Sequence, residues 1–238
     1  MGGGNLNFQE WEGLVGKIGR KETAMVIGRV DTGKSTLIKF LVSRLNAALV
    51  DADIGQSDVG PPAVVSLGRK SPNDDDRLEM IDGYFVGSTT PARHLLQMVV
   101  GTKKMVDRAP RPVIINTTGL VDGPVGRALK SRKIEAIRPD LLILLERDRE
   151  LDYYRTFENV GIEILRLQVS SEVEQKSKAD RKQERERAFR EHFAGARNLR
   201  IDLADHGLER TLLGSGVVID AEEASRILGC RVLRAEKT

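Results

Sequence analysis

The chain has little of what builds disulfide frameworks, soft-metal centres or membrane spans. Cys230 is the single cysteine among 238 residues, so no intrachain disulfide is expected, in keeping with a reducing, cytoplasmic setting. His94, His192 and His206 are the only histidines, and their spacing matches no metal-ligand pattern. Leu141–Leu145 is strand-sized, far short of the roughly 20 apolar residues a helix needs to cross a bilayer, so no membrane association is expected. The N-terminus has no signal-peptide pattern, and Leu6 breaks the myristoylation pattern. The acidic run at 73–76 lacks the glycine and terminal glutamate of a calcium loop and reads as a solvated turn. No internal repeat marks a solenoid. What is abundant is charge: 31% of residues, with 38 basic against 35 acidic, a net charge of +3. That balance suits a polyanionic partner. With 40% hydrophobic residues, the chain can bury one good-sized core plus a small appendage.

The most informative stretch is Gly28 to Thr36, GRVDTGKST. It follows an apolar run, Ala24–Ile27, and precedes a helical pattern from Leu37 to Val42. Strand, glycine loop and helix is the setting in which G-x-x-x-x-G-K-[ST] means a phosphate-binding loop. Gly28 and Gly33 let the backbone curl so that the N–H groups of Arg29, Val30, Asp31, Thr32 and their neighbours form an anion nest. The following helix adds the positive end of its dipole. Lys34 reaches the terminal phosphates, and the Ser35 hydroxyl is placed to bind Mg²⁺. The chain is expected to bind a nucleoside triphosphate.

Apolar strands alternate with amphipathic helices through most of the chain. Strands are predicted at 24–27, 48–53, 64–67, 80–86, 113–116, 141–146 and 163–169. Helices are predicted at 8–18, 34–46, 92–106, 126–137 and 151–159. This is an α/β pattern of P-loop NTPase type, a parallel sheet with helices on both faces. Trp11, the only tryptophan, reads as a packing anchor of the first helix. Residues 1–20 form an N-terminal helical segment, 21–198 the core, and 199–238 a small appendage with strand-like pieces at 216–219 and 230–233. Within the core, 172–195 is nearly all charged and has good helix propensity. Lys178, Arg181, Arg185 and His192 share one helical side. Such a helix is either a solvated surface element or a lid that closes arginines over a transferring phosphoryl group.

In open parallel sheets, ligands bind beyond the carboxyl ends of the strands. The second strand ends at Asp51 and Asp53, which face the same way because side chains alternate. The strand at 113–116 ends in Asn116, where many P-loop ATPases carry a metal-holding aspartate, so Asp51 or Asp53 is the source of acid. One carboxylate can accept a proton from an attacking hydroxyl; the other, with Asp51 the choice, can serve the Mg²⁺ shell alongside Ser35.

Asp53-Ile54-Gly55-Gln56, then Gly60-Pro61-Pro62, then Tyr84–Pro91 (YFVGSTTP), Asn116–Gly123 (NTTGLVDG) and Arg138-Pro139-Asp140 occur in that order, followed by the arginine-rich segment. The set resembles the P-loop polyribonucleotide 5′-hydroxyl kinases, the RNA kinases of pre-mRNA cleavage and rRNA processing and their archaeal relatives. The resemblance covers about 23–195. It implies transfer of the γ-phosphate of ATP to the 5′-OH end of RNA or DNA. Asp53 would be the general base, Gln56 would hold the terminal nucleotide, and Ser88, Thr89 and Thr90 would form a clasp around the reactive end. Arg181 and Arg185 would be the lid arginines, and Thr118 and Leu120 would lie at the substrate. Several eukaryotic members carry tryptophan where Leu120 stands. Base stacking contributes about 1–3 kcal/mol in single-strand binders, so a weaker grip on the terminal base is expected there.

Two other readings share the phosphate loop. A nucleoside or nucleotide kinase needs an enclosed base pocket, and only 4% of residues are aromatic. A catalytically silent ATP-binding scaffold needs none of Lys34, Asp53, Arg181 and Arg185, all of which are present. No N-K-x-D guanine-reading motif occurs.

Overall fold

A computed structural model describes residues 8–19, 21–71, 77–171, 173, 175–197, 217–219, 222, 226 and 235–237. Two units are distinguished, Met1–Ala194 and Gly195–Thr238. The first opens with α1 (Phe8–Ile18), then β1 (Thr23–Gly28), α2 (Lys34–Leu45) and β2 (Ala48–Ala52). A hairpin of β3 (Val64–Lys70) and β4 (Leu78–Phe85) follows, then α3 (Leu95–Arg108), β5 (Val113–Thr117), α4 (Gly123–Ile137) and β6 (Leu141–Glu146). A 3-10 helix (Asp152–Val160), β7 (Glu163–Gln168) and α5 (Lys178–His192) complete it. In the second unit β8 (Val217–Ile219) pairs antiparallel with β9 (Ala235–Lys237). The acidic turn at 72–76 and the strand expected at 230–233 lie outside the described residues.

The seven strands of the first unit are ordered β4-β3-β2-β5-β1-β6-β7. The five from β2 to β7 run parallel. Their apolar runs leave no polar face, because helices cover both sides. Met25, Ile27, Val50, Ile115, Leu142 and Leu144 pack with Met98 and Met105 of α3 and with Leu129 and Ile134 of α4. The alternate residues Ala24, Val26, Leu49, Ile114, Ile143 and Leu145 pack with Leu14 and Ile18 of α1 and with Leu37, Ile38 and Leu41 of α2. Each large aliphatic side chain buried this way contributes about 1.5–3 kcal/mol, so the two layers hold the sheet in place. Trp11 packs on Phe40 of α2, with ring centroids 5.6 Å apart.

The sheet edge differs from a wholly parallel one: β3 runs antiparallel to β2, and β4 antiparallel to β3. Strands joined by a short turn have no room for a crossover helix, so they must reverse. As a result β4 runs in the same sense as β2, and its C-terminal end lies at the same edge of the sheet as the end of β2.

α5 differs from every other helix. None of its residues is buried, and a capping box starts it: Ser177 Oγ accepts from Asp180 N at 3.1 Å, and Asp180 Oδ2 accepts from Ser177 N at 3.0 Å. Local capping stands in for hydrophobic anchoring.

Candidate active site

The phosphate loop sits between β1 and α2. Gly33 has φ +83°, a left-handed conformation that glycine adopts without a side-chain penalty, and it turns the chain into α2. Lys34 is buried, and its Nζ donates to the Arg29 carbonyl at 2.5 Å, across the loop. Thr32 Oγ1 donates to the same carbonyl at 2.9 Å. Burial pushes the Lys34 ammonium down to about 8, against the pull of Asp53 and Asp31. Ser35 is half-buried at the first turn of α2, and Thr36 is exposed. Arg29 forks onto Asp122 at 2.9 and 2.8 Å, so the loop is tied to the turn after β5.

Asp31 is also left-handed, with φ +54°. Two arginines hold it. Arg147, at the end of β6, donates from Nη2 to its carbonyl at 2.8 Å, and Arg181 of α5 pairs with its carboxylate. The arginine expected on the lid is therefore already on the phosphate loop. Arg185 is half-buried on the same helix, one turn on, and among the described residues it has no ion pair. A cleft beside the loop is lined by Trp11, Thr32, Gly33, Thr36, Val169 and Val173.

The loop after β2 is organised by Asp51, which is fully buried. Its Oδ1 accepts from Asp53 N at 3.0 Å and Asn116 Nδ2 at 3.0 Å. Its Oδ2 accepts from Ser57 Oγ at 3.2 Å, Asp58 N at 2.6 Å and Val59 N at 3.3 Å. Burial, with the charges of Asp58 and Asp53, pushes it up to about 7. Asp51 is the residue expected in the Mg²⁺ shell; both of its oxygens accept hydrogen bonds inside the protein, and these shape residues 53–59.

Asp53 is the other carboxylate of this strand end. Its Oδ1 accepts from Gly55 N at 3.1 Å and Gln56 N at 3.2 Å, while Oδ2 takes no hydrogen bond among the described residues. Burial pushes its pKa up from the ordinary carboxylate value, and the charge of Lys34 opposes that rise. Gln56 Nε2 donates to the Arg181 carbonyl at 3.3 Å, which joins the acidic loop to α5. Across the loop, Ser88 Oγ donates to Thr90 O at 3.0 Å and accepts from Thr90 N at 3.1 Å, pinning a tight turn with Thr89 exposed at its tip. Gly55 lies under that turn, where a β-carbon would come within 3.0 Å of the Thr89 carbonyl. The structure thus gathers Lys34, Asp53, Gln56, Arg181 and the 88–90 turn along one sheet edge.

Thr118 and Leu120, also expected at the substrate, are engaged inside the protein. Thr118 is buried, and its hydroxyl accepts from Lys130 Nζ at 2.9 Å, with the Thr118 carbonyl accepting at 2.6 Å. Leu120 is partly buried and packs against the α3–α4 layer. Sequence reasoning passed over Arg147 and a lysine pair on α4. Lys130 and Lys133 are both fully buried, and Lys133 Nζ has no hydrogen-bond partner among the described residues. Burial pushes Lys133 down to about 7 and Lys130 well below the ordinary lysine value, while Asp53 pulls both upward. Among the described residues no group of three acidic, histidine or cysteine side chains could hold a metal by itself, and no helix is long and apolar enough to cross a membrane.

Comparison with known proteins agrees with this geometry. A polyribonucleotide 5′-hydroxyl-kinase of Pyrococcus furiosus is 37% identical over 217 residues, covering 87% of this chain and 60% of that protein. One of Methanocaldococcus jannaschii is 35% identical over 210 residues, covering 84% and 58%. The chain thus spans about 60% of the length of these curated relatives. A wild-type Clp1p structure, solved in complex with Pcf11p (454–563), superposes with a TM-score of 0.65 over 91% of this chain and 58% of that one; at 14% identity it speaks for the fold. Residues 28–195, from the first glycine of the phosphate loop to the end of the α5 segment, match the family described as the mRNA cleavage and polyadenylation factor CLP1 P-loop, and the chain belongs to that family.

Proposed function

We propose that this chain is an ATP-dependent polynucleotide 5′-hydroxyl kinase, moving the γ-phosphate of ATP to the 5′-OH end of RNA or DNA. The observation that carries the reading is the pairing of a buried phosphate-loop lysine, Lys34, with Asp53, a half-buried carboxylate that keeps one oxygen free. Names of relatives such as the Pyrococcus furiosus protein support the same substrate class.

In this reading the nest of residues 28–36 holds the β- and γ-phosphates, and Lys34 exchanges the Arg29 carbonyl for phosphate oxygens. The Ser35 hydroxyl, half-buried at the first turn of α2, would help hold a Mg²⁺ ion, which would supply neutralisation of phosphate charge. The 5′-hydroxyl oxygen attacks the γ-phosphorus, the bond to the β–γ bridging oxygen breaks, and ADP leaves. The hydroxyl proton passes to Asp53 Oδ2. A carboxylate raised above its ordinary range is better matched to that task near neutral pH. Arg181 and Arg185 neutralise charge on the equatorial oxygens as it spreads. Gln56 and the 88–90 turn hold the acceptor end.

The test is γ-phosphate transfer from labelled ATP to matched 5′-OH RNA and DNA oligonucleotides, beside a free nucleoside and a 5′-phosphorylated control. Label on the 5′-OH oligonucleotides alone is the expected result. Label on the nucleoside alone would make this a small-substrate kinase, and ATP binding without any transfer would make it a scaffold.

A further inference from the structure

Phe85 is the most exposed large apolar side chain among the described residues, at 77%. It ends β4, an edge strand, where charged residues are the usual choice because they discourage pairing with another chain. A lone exposed phenylalanine is unremarkable in itself. Its position in the register is what matters.

Asp51 on β2 faces Ser66 on β3, which faces Gly83 on β4; Val64 faces Phe85. The ladder continues past the end of β2, since Ala63 N donates to the Ile54 carbonyl at 3.0 Å and Val86 N to the Ala63 carbonyl at 2.9 Å. Asp53 therefore stands opposite Val64, and Asp53, Val64 and Phe85 form one row across three strands. Residues in such a row project from the same face. Two strand spacings separate the ends of the row, about 10 Å.

The loop after β2 folds over the preceding row: a β-carbon on Gly60 would meet Ser66 Oγ at 2.8 Å. It leaves the row of Asp53 and Phe85 at the rim. On the other face of the sheet Tyr84 is packed against α3, where Gly101 makes room for its ring. The Phe85 ring leans along the strand over Gly87, its Cε1 3.3 Å from where a β-carbon there would sit, toward the 88–90 turn. A flat apolar ring is thus held beside the clasp, on the face of the reactive carboxylate, about 10 Å away from it. At roughly 3.4 Å of rise per nucleotide in a stacked strand, that distance reaches the first to third base from the 5′ end.

We propose that Phe85 is a nucleobase-stacking subsite for the acceptor strand. It grips one base near the 5′ end while Asp53 engages the hydroxyl. This rests on the kinase reading for the position of the 5′ end. Because every base has a π-face, such a subsite favours polynucleotides over free nucleosides without reading sequence.

The experiment compares wild type, Phe85→Ala, Phe85→Leu and Phe85→Trp on 5′-OH oligonucleotides carrying normal bases or one abasic nucleotide at position 1, 2 or 3. Kinetics and fluorescence anisotropy are both read. Phe85→Ala should raise the oligonucleotide KM and Kd about 5- to 100-fold, the range given by loss of one stacked base, with the KM for ATP unchanged. An abasic site at one position should erase the difference between wild type and Phe85→Ala. Phe85→Trp should restore binding and Phe85→Leu should not. An unchanged oligonucleotide Kd in Phe85→Ala, an equal loss on every abasic strand, or full rescue by leucine would overturn the subsite. So would a change in oligomeric state without a change in oligonucleotide binding, which would make Phe85 a protein contact. If wild type binds the oligonucleotides but transfers no phosphate, the kinase reading fails, and the anisotropy comparison still decides the subsite.

Discussion

Replacing Lys133 with methionine should stabilise the protein. Lys133 is fully buried, its amine has no hydrogen-bond partner among the described residues, and burial lowers it from 10.5 to about 7. At pH 7 the unfolded chain carries that amine protonated, and folding has to strip or desolvate the proton. A fall from 10.5 to about 7 corresponds to about 4 kcal/mol of lost stability at neutral pH. Methionine keeps the length of the stem and removes the charge. The pull of Asp53 and Asp51 is already contained in that fall, and the imperfect fit of a methionine side chain at the site offsets part of the gain. A net gain of about 1–3 kcal/mol follows, within the range seen when buried charges are replaced by apolar residues. Urea unfolding followed by Trp11 fluorescence reads it directly, since this single tryptophan packs on Phe40 of the core. The sign with pH is fixed by linkage. Between about 7 and 10.5 the unfolded amine is protonated and the folded one is not, so wild-type stability rises as the solution becomes more alkaline. Lys34 and Lys130, both lowered, add to that rise, so the diagnostic quantity is the difference between the two proteins, which should shrink toward pH 10. Destabilisation by more than about 1 kcal/mol would refute the reasoning, because it would show the ammonium to be charged and held by the carboxylates.

Lys34→Ala should abolish phosphoryl transfer, measured with labelled ATP, because the nest would lose the buried cation that reaches across it. Asp53→Asn should keep ATP binding by calorimetry while lowering kcat about 10²–10⁴-fold, the usual worth of a positioned base; normal turnover would reduce Asp53 to a turn former. In wild type the rate should climb with pH through a midpoint above the ordinary carboxylate range, and Asp53→Asn should flatten that limb. Arg181→Ala and Arg185→Ala should each lower kcat more than they raise the KM for ATP. An effect on KM alone would make them ground-state phosphate binders. Asp51→Ala should lower thermal stability by about 3–5 kcal/mol, the scale for removing one member of a buried polar network, since five donors of the 53–59 loop and Asn116 lose their acceptor.

Features that depend on local pattern were legible before the fold was seen. The phosphate loop needs two glycines and a lysine at fixed spacing between an apolar strand and a helix, and Gly28 to Thr36 carry that pattern openly. The charged helix at 178–192 was equally clear, as was its side bearing Arg181. What depended on tertiary placement was not. Asp51 and Asp53 look equivalent along the strand; only the return of residues 57–59 onto Asp51 separates a carboxylate bonded at both oxygens from one that keeps Oδ2 free of hydrogen bonds among the described residues. Thr118 and Leu120 sit in a turn whose inner and outer sides have no periodic signature. The lysine pair could have been found. Leu129, Lys130, Lys133 and Ile134 share the spacing of an inward helical stripe, and a charge at such a position marks a buried group. The reversal of β3 and β4 followed from the brevity of their connection, which strand propensity alone does not weigh.

β2 and β5 are hydrogen-bonded neighbours in the sheet although residues 53–112 intervene between them. That whole segment extends the sheet at one side through β3 and β4 and returns through α3 to the other side of β2, carrying Asp53, Gln56, the hairpin, Phe85 and the 88–90 turn on one excursion. The phosphate loop, Arg147 and α5 come from outside that segment, and the Gln56–Arg181 hydrogen bond bridges the two groups. If the chain is the kinase proposed above, donor and acceptor are served by separable parts of one polypeptide, and exchanging a single continuous insert would re-specify the acceptor while the phosphate chemistry stays in register.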